Sequence, residues 1–252
     1  SRDLVPTRER NTFFRLSAYR DRVLALVEAN EAFSVEPQIR RNEILSTLRE
    51  GLQDISISRA RLPWGIPFPG TEDETVYVWF DALINYLSAT GFPDAGWDDI
   101  WPADLHVVGK GITRFHCIIW PAMLIAAELP LPKAIWAHGY VQWGGAKVSK
   151  SEGSAVSIEE AAARHGADAL RWFLMREVGF ENDGDFTFDR FDAVYESELA
   201  NGIGNLASRV TAMVEKYRAG VVPSIEAADL PNTAGAEAVA RYAMAMEQLD
   251  LK

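Results

Sequence analysis

Apolar side chains recur at helical spacing near the start of the chain, where Phe13, Phe14, Leu16, Val23, Leu24 and Val27 stand among charged neighbours, and the pattern predicts a helix over 8–30. Pro37 suits the first turn of a second helix, Gln38 to Arg49, stopped by Gly51. Ile55 and Ile57 alternate with Ser56 and Ser58, which predicts a short strand. Residues 61–70 hold three prolines and two glycines and read as an irregular loop. The β-branched and aromatic run from Thr75 to Phe80 reads as a buried strand, with Asp81 capping a helix that reaches Ala89. A strand over Leu105 to Val108 precedes a helix from Ile112 to Glu128, which Pro121 should kink. A third strand is expected from Ala134 to Trp143. Ser157 with Glu160 forms a capping box for a further helix, and Gly166 separates that helix from one over Ala167 to Val178. Residues 179–189 are polar and acidic, and from Phe191 the pattern is helical to the end, broken by glycine and proline between 220 and 231.

Strands alternating with helices imply parallel βαβ units, so the expected class is α/β, followed near residue 190 by an α-helical region. With 252 residues, 48% of them hydrophobic, the chain can bury a sizeable core. The net charge of −11 argues against indiscriminate nucleic-acid binding, though not against a local basic site. Cys117 is the single cysteine, which excludes an internal disulfide or a thiolate zinc cluster and fits a reducing, cytoplasmic compartment. No apolar run reaches membrane-spanning length. The chain opens on Ser1-Arg2-Asp3, without Met or signal peptide, and reads as a fragment.

The densest chemistry lies between Gly144 and Gly153, where Lys147, Ser149, Lys150 and Ser151 stand among glycines just after the third expected strand. Glycines let backbone approach a ligand closely, and two lysines three apart with hydroxyls around them can hold several phosphate oxygens. Gly109-Lys110 and Trp79-Phe80-Asp81 also stand at expected strand ends, where parallel sheets hold their ligands. A solvated turn with two surface lysines is the other reading of that loop on composition alone.

Several stretches together resemble methionyl-tRNA synthetases, a family of class I aminoacyl-tRNA synthetases. Lys147-Val148-Ser149-Lys150-Ser151 is similar to the family's Lys-Met-Ser-Lys-Ser loop, with Ala137-His138-Gly139-Tyr140-Val141 leading to it. The segments Tyr77 to Ala82 and Gly109 to His116, with Trp120-Pro121 beyond, are similar to the methionine-pocket segments. Gly166 to Arg171 and Asn205 to Arg209 match further downstream. The resemblance implies the second half of a Rossmann-type catalytic domain over 59–189. It further implies the tail of the connective insertion over 1–58 and the start of an α-helical anticodon-binding domain over 190–252.

It also implies a methionine–tRNA ligase, which activates L-methionine with ATP, Mg2+ accompanying the nucleotide, and passes the methionyl group to tRNA(Met). Lys147 and Lys150 would stabilise charge as pyrophosphate leaves, an electrostatic role without covalent chemistry. With them Ser149, Ser151, Gly109, Lys110, His138, Gly139 and Val141 would hold ATP. Trp79, Ala82, Tyr86, Ile112, Phe115, His116 and Trp120 would form the methionine pocket, whose aromatic edges suit a thioether. By themselves, aromatics at helical spacing are more often core than ligand wall, and His116 is either a hydrogen-bonding group beside substrate or a satisfied core histidine. Asn205 and Arg209, four apart on one helix face, would read anticodon bases. No metal ligands are expected in this chain.

The chain departs from the family pattern at Val148, for the usual Met, at Gly111, where many members carry Asp, and over Ser151-Glu152-Gly153-Ser154, for a more usual Leu and Asn. The His-Ile-Gly-His half and the methionine-amino carboxylate are absent, so this piece alone is expected to be inactive. A non-catalytic tRNA-binding module is the alternative.

Overall fold

The computed structural model describes residues 9–60, 62, 64–143, 146–147, 157–178, 181–222, 224, 234–247 and 249. These fall into two compact units, 1–138 and 139–252.

In the first unit, strand β1 (Phe13–Phe14) and a single turn of 3-10 helix precede helix α1 (Arg20–Ala29). The helix expected over 8–30 is therefore shorter, and its first two apolar residues pair with β3 (Ile55–Ser56) instead. Between them lie β2 (Ser34–Glu36) and α2 (Gln38–Glu50), the latter matching its expected start at Gln38. Strand β4 (Ser58–Ala60) pairs antiparallel with β5 (Glu74–Val76). The buried Glu74 carboxylate accepts hydrogen bonds from Ser58 Oγ at 2.5 Å and Thr12 Oγ1 at 3.1 Å, which ties the first segment to this ribbon.

Residues 75–80 are not one strand. The extended run ends at Val76, and helix α3 spans Val78–Ser88. Tyr77, in extended conformation, accepts from the N–H groups of Phe80 and Asp81, so Asp81 lies within the first turn rather than capping it. The local β preference of Val78-Trp79-Phe80 gives way because Leu83 and Leu87 can then enter the core on one face. Asp81 still suits the positive end of the helix.

Strand β6 (His106–Gly109) leads through a 3-10 turn and a π-helical turn (Phe115–Ile119) into α4 (Trp120–Ala126). Pro121 stands just after the widened turn. It has no N–H for the ladder, and the Trp120 N–H reaches back to the Phe115 carbonyl. Strand β7 (Ala134–His138) then lies between β2 and β6, parallel to both. As the middle strand it is apolar along its length, with Ile135, Trp136 and Ala137 all buried. The unit thus contains the expected βαβ pattern, and its core gathers α1, α2, α3 and the β6–β7 crossover around this sheet.

The strand expected over 134–143 is broken at Gly139-Tyr140, and β8 (Val141–Trp143) belongs to a sheet of the second unit. There β8 pairs antiparallel with β9 (Ala146–Lys147). Helices α5 (Ile158–His165) and α6 (Ala167–Glu177) follow, meeting at Gly166, whose φ of 91° suits glycine. Ser157 Oγ accepts from the Glu160 N–H at 3.2 Å, as the capping pattern predicts. Strand β10 (Gly184–Phe186), unforeseen in the acidic stretch, runs parallel to β8. Asp183 fixes that pairing by accepting from the Tyr140 N–H at 2.8 Å and from Gln142 Nε2 at 3.2 Å. Next come α7 (Phe188–Val194), a π-helical run to Gly204, α8 (Asn205–Arg218) and α9 (Ala234–Glu247). Phe173, Phe186 and Phe191 pack edge to face or tilted at the centre of this unit.

Candidate active site

The helical start of α3 brings Trp79, Ala82 and Tyr86 to spacings of three and four, so they share a face that the expected strand would have split. Trp79 stacks on Phe115 with ring centroids 4.4 Å apart and planes 22° apart. Both rings line a cavity of about 310 Å³, together with Phe80, Ile119, Arg59 and Arg114.

Tyr86 and His116 form a second cluster with Trp120. His116 and Trp120 are 2% and 1% exposed, and Tyr86 lies 5.6 Å and 6.1 Å from their respective ring centroids. The polarity of the hydrogen bonds here is determined. The Ile112 carbonyl can only accept, so His116 Nδ1 carries the proton across their 3.0 Å contact. His116 Nε2 is then a lone pair, and it accepts from the Tyr86 hydroxyl at 2.8 Å. Burial lowers the His116 pKa and favours this neutral ring, although the bond to Ile112 works the other way. Burial likewise raises the Tyr86 pKa and keeps its proton in place.

Next to this pair lies His106, the first residue of β6, 6% exposed and pushed down to about 4 by burial and then by His116. Among the described residues, His106 Nε2 and Trp120 Nε1 are buried without a hydrogen-bond partner. Cys117, in the same helical segment, is wholly buried and its thiol is pushed up by burial, which leaves it unreactive.

Gly109 and His138 are register partners at the carboxyl ends of β6 and β7. Lys110 follows Gly109 at the start of the 3-10 turn, where Thr113 Oγ1 donates to its carbonyl at 3.0 Å. These three candidates are therefore at adjacent strand ends, where open parallel sheets hold ligands.

In the second unit, Gly139 has no room for a side chain. A Cβ there would lie 2.1 Å from the Asn182 carbonyl oxygen. Val141 begins β8, and the Lys147 backbone pairs with Gln142. Ser149, Lys150 and Ser151 lie outside the described residues. Asn205 and Arg209 are both exposed, one turn apart at the start of α8.

Trp79 and Phe115 of the expected aromatic set line the cavity of about 310 Å³, and Arg59 and Arg114 stand among its walls without being expected there. Arg59 lies 3.8 Å over the Tyr77 ring and donates to Ser56 Oγ and to the Ser58 carbonyl, each at 2.7 Å. Arg114 was signalled only by being a charge within the Gly109–His116 stretch. Two guanidinium groups beside stacked aromatics suit a ligand with an apolar body and an anionic end. Among the described residues no group of three or more His, Cys, Asp or Glu side chains is placed to hold a metal ion, and no helix is long and apolar enough to cross a membrane.

Comparison with known proteins gives a consistent picture. The family model for tRNA synthetases class I (M) matches residues 3–211. The methionine–tRNA ligase of Streptomyces coelicolor is 48% identical over 221 residues, which are 87% of this chain and 41% of that protein. The Thermotoga maritima ligase of the same name is 49% identical over 221 residues, 86% of this chain and 34% of its own length. The chain thus spans about two fifths or less of these relatives. Among solved structures, Mycobacterium tuberculosis methionyl-tRNA synthetase in complex with methionyl-adenylate superposes with a TM-score of 0.86 at 41% identity, over 97% of this chain and 49% of that one. A second structure of that enzyme, bound by methionyl-adenylate, gives 0.81 at 45% identity over 87% of this chain and 44% of its own.

Proposed function

The chain belongs to the tRNA synthetases of class I (M), and on that premise we propose that it supplies the methionine pocket and part of the nucleotide site of a cytoplasmic methionine–tRNA ligase. The observation that carries this reading is the pairing of stacked Trp79 and Phe115 with the hydrogen-bonded Tyr86 and His116 on two packed helical segments. An apolar slot with one fixed polar pair suits a thioether side chain.

In this reading Trp79, Ala82, Tyr86, Ile112, Phe115, His116 and Trp120 hold methionine. Gly109, Lys110, His138, Gly139 and Val141 meet the nucleotide, and Lys147, Ser149, Lys150 and Ser151 hold its phosphates. The methionine carboxylate oxygen attacks the α-phosphorus of ATP, the bond to the β-phosphate breaks, and pyrophosphate leaves. The lysines neutralise the charge that builds on the leaving group. Mg2+ would travel with the nucleotide, whose phosphate oxygens would ligate it. The 3′ end of tRNA(Met) then attacks the methionyl carbonyl and AMP departs, with Asn205 and Arg209 reading anticodon bases. Residues 1–58, 59–189 and 190–252 are proposed to correspond to the tail of the connective insertion, the second half of the catalytic domain, and the start of the anticodon-binding domain.

The test is methionine-dependent ATP–pyrophosphate exchange by the full-length protein that carries this chain. Lys150→Ala should lower that rate by about 100-fold or more, with methionine affinity nearly unchanged, because its contact is made in the transition state. An unchanged rate removes Lys150 from the mechanism. Binding of tRNA without any exchange would favour a module that only binds RNA.

A further inference from the structure

The Tyr86–His116 pair does not stand alone. Its outer face is closed by His106, whose ring meets Tyr86 edge-on with centroids 4.3 Å apart and planes at 70°. On the other side of His106 lies Trp101, 6.0 Å away and 3% exposed. Trp101 is itself fixed, because its Nε1–H donates to the Pro130 carbonyl at 2.8 Å. Trp101, His106, Tyr86 and His116 therefore belong to one packed cluster, in which His106 also lies 6.1 Å from His116 and Trp101 lies 5.9 Å from Trp120, and the cluster is tied to the backbone at the Pro130 and Ile112 carbonyls. His106 is the histidine of this cluster that makes no hydrogen bond through its buried Nε2. A buried polar atom without a partner is destabilising, so the ring is a poor choice for filling space alone. Its position on β6, in register with Ile135 of the central strand, leaves it little freedom to move.

We propose that His106 is a positioning residue of the methionine pocket: its imidazole, packed against both Trp101 and Tyr86, holds the Tyr86 hydroxyl on His116 Nε2, while the Ile112 carbonyl keeps His116 in its Nδ1–H form. The consequence is a fixed polarity. The Tyr86 proton is committed to His116, and the phenolic oxygen can offer only lone pairs to a ligand. If Tyr86 swings away, His116 Nε2 loses its donor while its Nδ1–H stays on the Ile112 carbonyl.

This deepens the proposed function and rests on it for its catalytic arm alone. The first experiment is 15N NMR of the His116 side chain in the full-length protein that carries this chain, with labelled histidine, in the wild type and in two variants. His106→Leu keeps comparable volume but removes the flat ring edge, and His106→Phe keeps a ring without the unpartnered nitrogen. The His116 Nε2 resonance should keep the position of a hydrogen-bonded imine nitrogen in the wild type and in His106→Phe, and move towards that of a free imine nitrogen in His106→Leu. An unmoved resonance in His106→Leu, or a moved one in His106→Phe, overturns the proposal.

The second experiment uses the full-length protein. His106→Leu should raise KM for methionine about tenfold with kcat changed by less than about threefold and KM for ATP unchanged. That increase should vanish in a Tyr86→Phe background, because a residue that acts through Tyr86 has nothing left to hold. Additive effects of the two substitutions overturn it. Should the wild type show no methionine-dependent exchange, the functional reading fails, while the NMR experiment still decides whether His106 holds Tyr86 on His116.

Discussion

The pocket wall of the first unit and helix α8 of the second are both rich in large apolar side chains, and they use them in opposite ways. Around Tyr86, rings are buried and held by backbone carbonyls at 2.8 Å and 3.0 Å. On α8, Leu206, Val210, Met213 and Tyr217 recur at spacings of three and four, yet none of the helix's side chains is buried. An amphipathic pattern alone therefore does not say whether a face is covered; it says only that the face can be. The contrast teaches that burial is confined to particular parts of each unit.

The largest expected effect that would sharpen this contrast is in the second unit's own core. Phe173→Ala, which removes a fully buried ring from among Phe186 and Phe191, should cost about 3–5 kcal/mol, measured by denaturant unfolding. A loss under about 1 kcal/mol would mean that this cluster does not hold the unit together.

Acid should separate the units next. His106 titrates at about 4 when folded and at 6.5 as a free side chain. The unfolded chain therefore takes up its proton first, and stability falls as pH drops from 6.5 towards 4. In the second unit the Asp192 carboxylate accepts from Arg164 Nε at 2.5 Å and from His165 Nε2 at 2.7 Å. Hydrogen bonding to Arg164 is the chief reason it is drawn down to about 2 from 3.8. Its contribution is complete above pH 3.8 and is lost as pH falls through about 2. Hydrogen exchange along an acid titration should show protection around β6 and α3 weakening before protection around α5 and α7. His106→Phe should weaken the earlier step, which the buried His116 shares, and Asp192→Asn should remove the Asp192 contribution to the later one. The reverse order would break the comparison.

The smallest effect is expected on α8, where Leu206→Ser should change the stability of this chain by no more than about 0.5 kcal/mol. A larger change, read by thermal unfolding, would show that the face is covered after all.

Legibility in the sequence followed the reach of the forces involved. Helix α2 and the Ser157 cap were readable because their signals, a leading proline and a hydroxyl three residues before an N–H, are local. The turn from strand to helix at Tyr77 was not, because Val78, Trp79 and Phe80 favour β structure and only Leu83 and Leu87 in the core overrule them. The break between β7 and β8 was hidden for a similar reason. Gly139 looks like any glycine until the Asn182 backbone is seen beside it. The aromatic candidates came from a resemblance, and the structure added their polarity. Arg59 went unread because Tyr77, the ring it covers, comes beside it only when β4 meets β5.

The order β2–β7–β6 has a consequence in time. Ser34 pairs with Ala134, so the two strands are separated by about a hundred residues of chain. At synthesis rates of roughly 5–20 residues per second, β2 leaves the ribosome on the order of 5–20 s before its only described neighbour exists. Helices α1 and α2 and the β4–β5 ribbon can close on local contacts during that interval, whereas the central sheet must wait for β7. The slow moment in the life of this unit is thus the arrival of five residues, Ala134–His138, which at once complete the sheet and bring His138 beside Gly109.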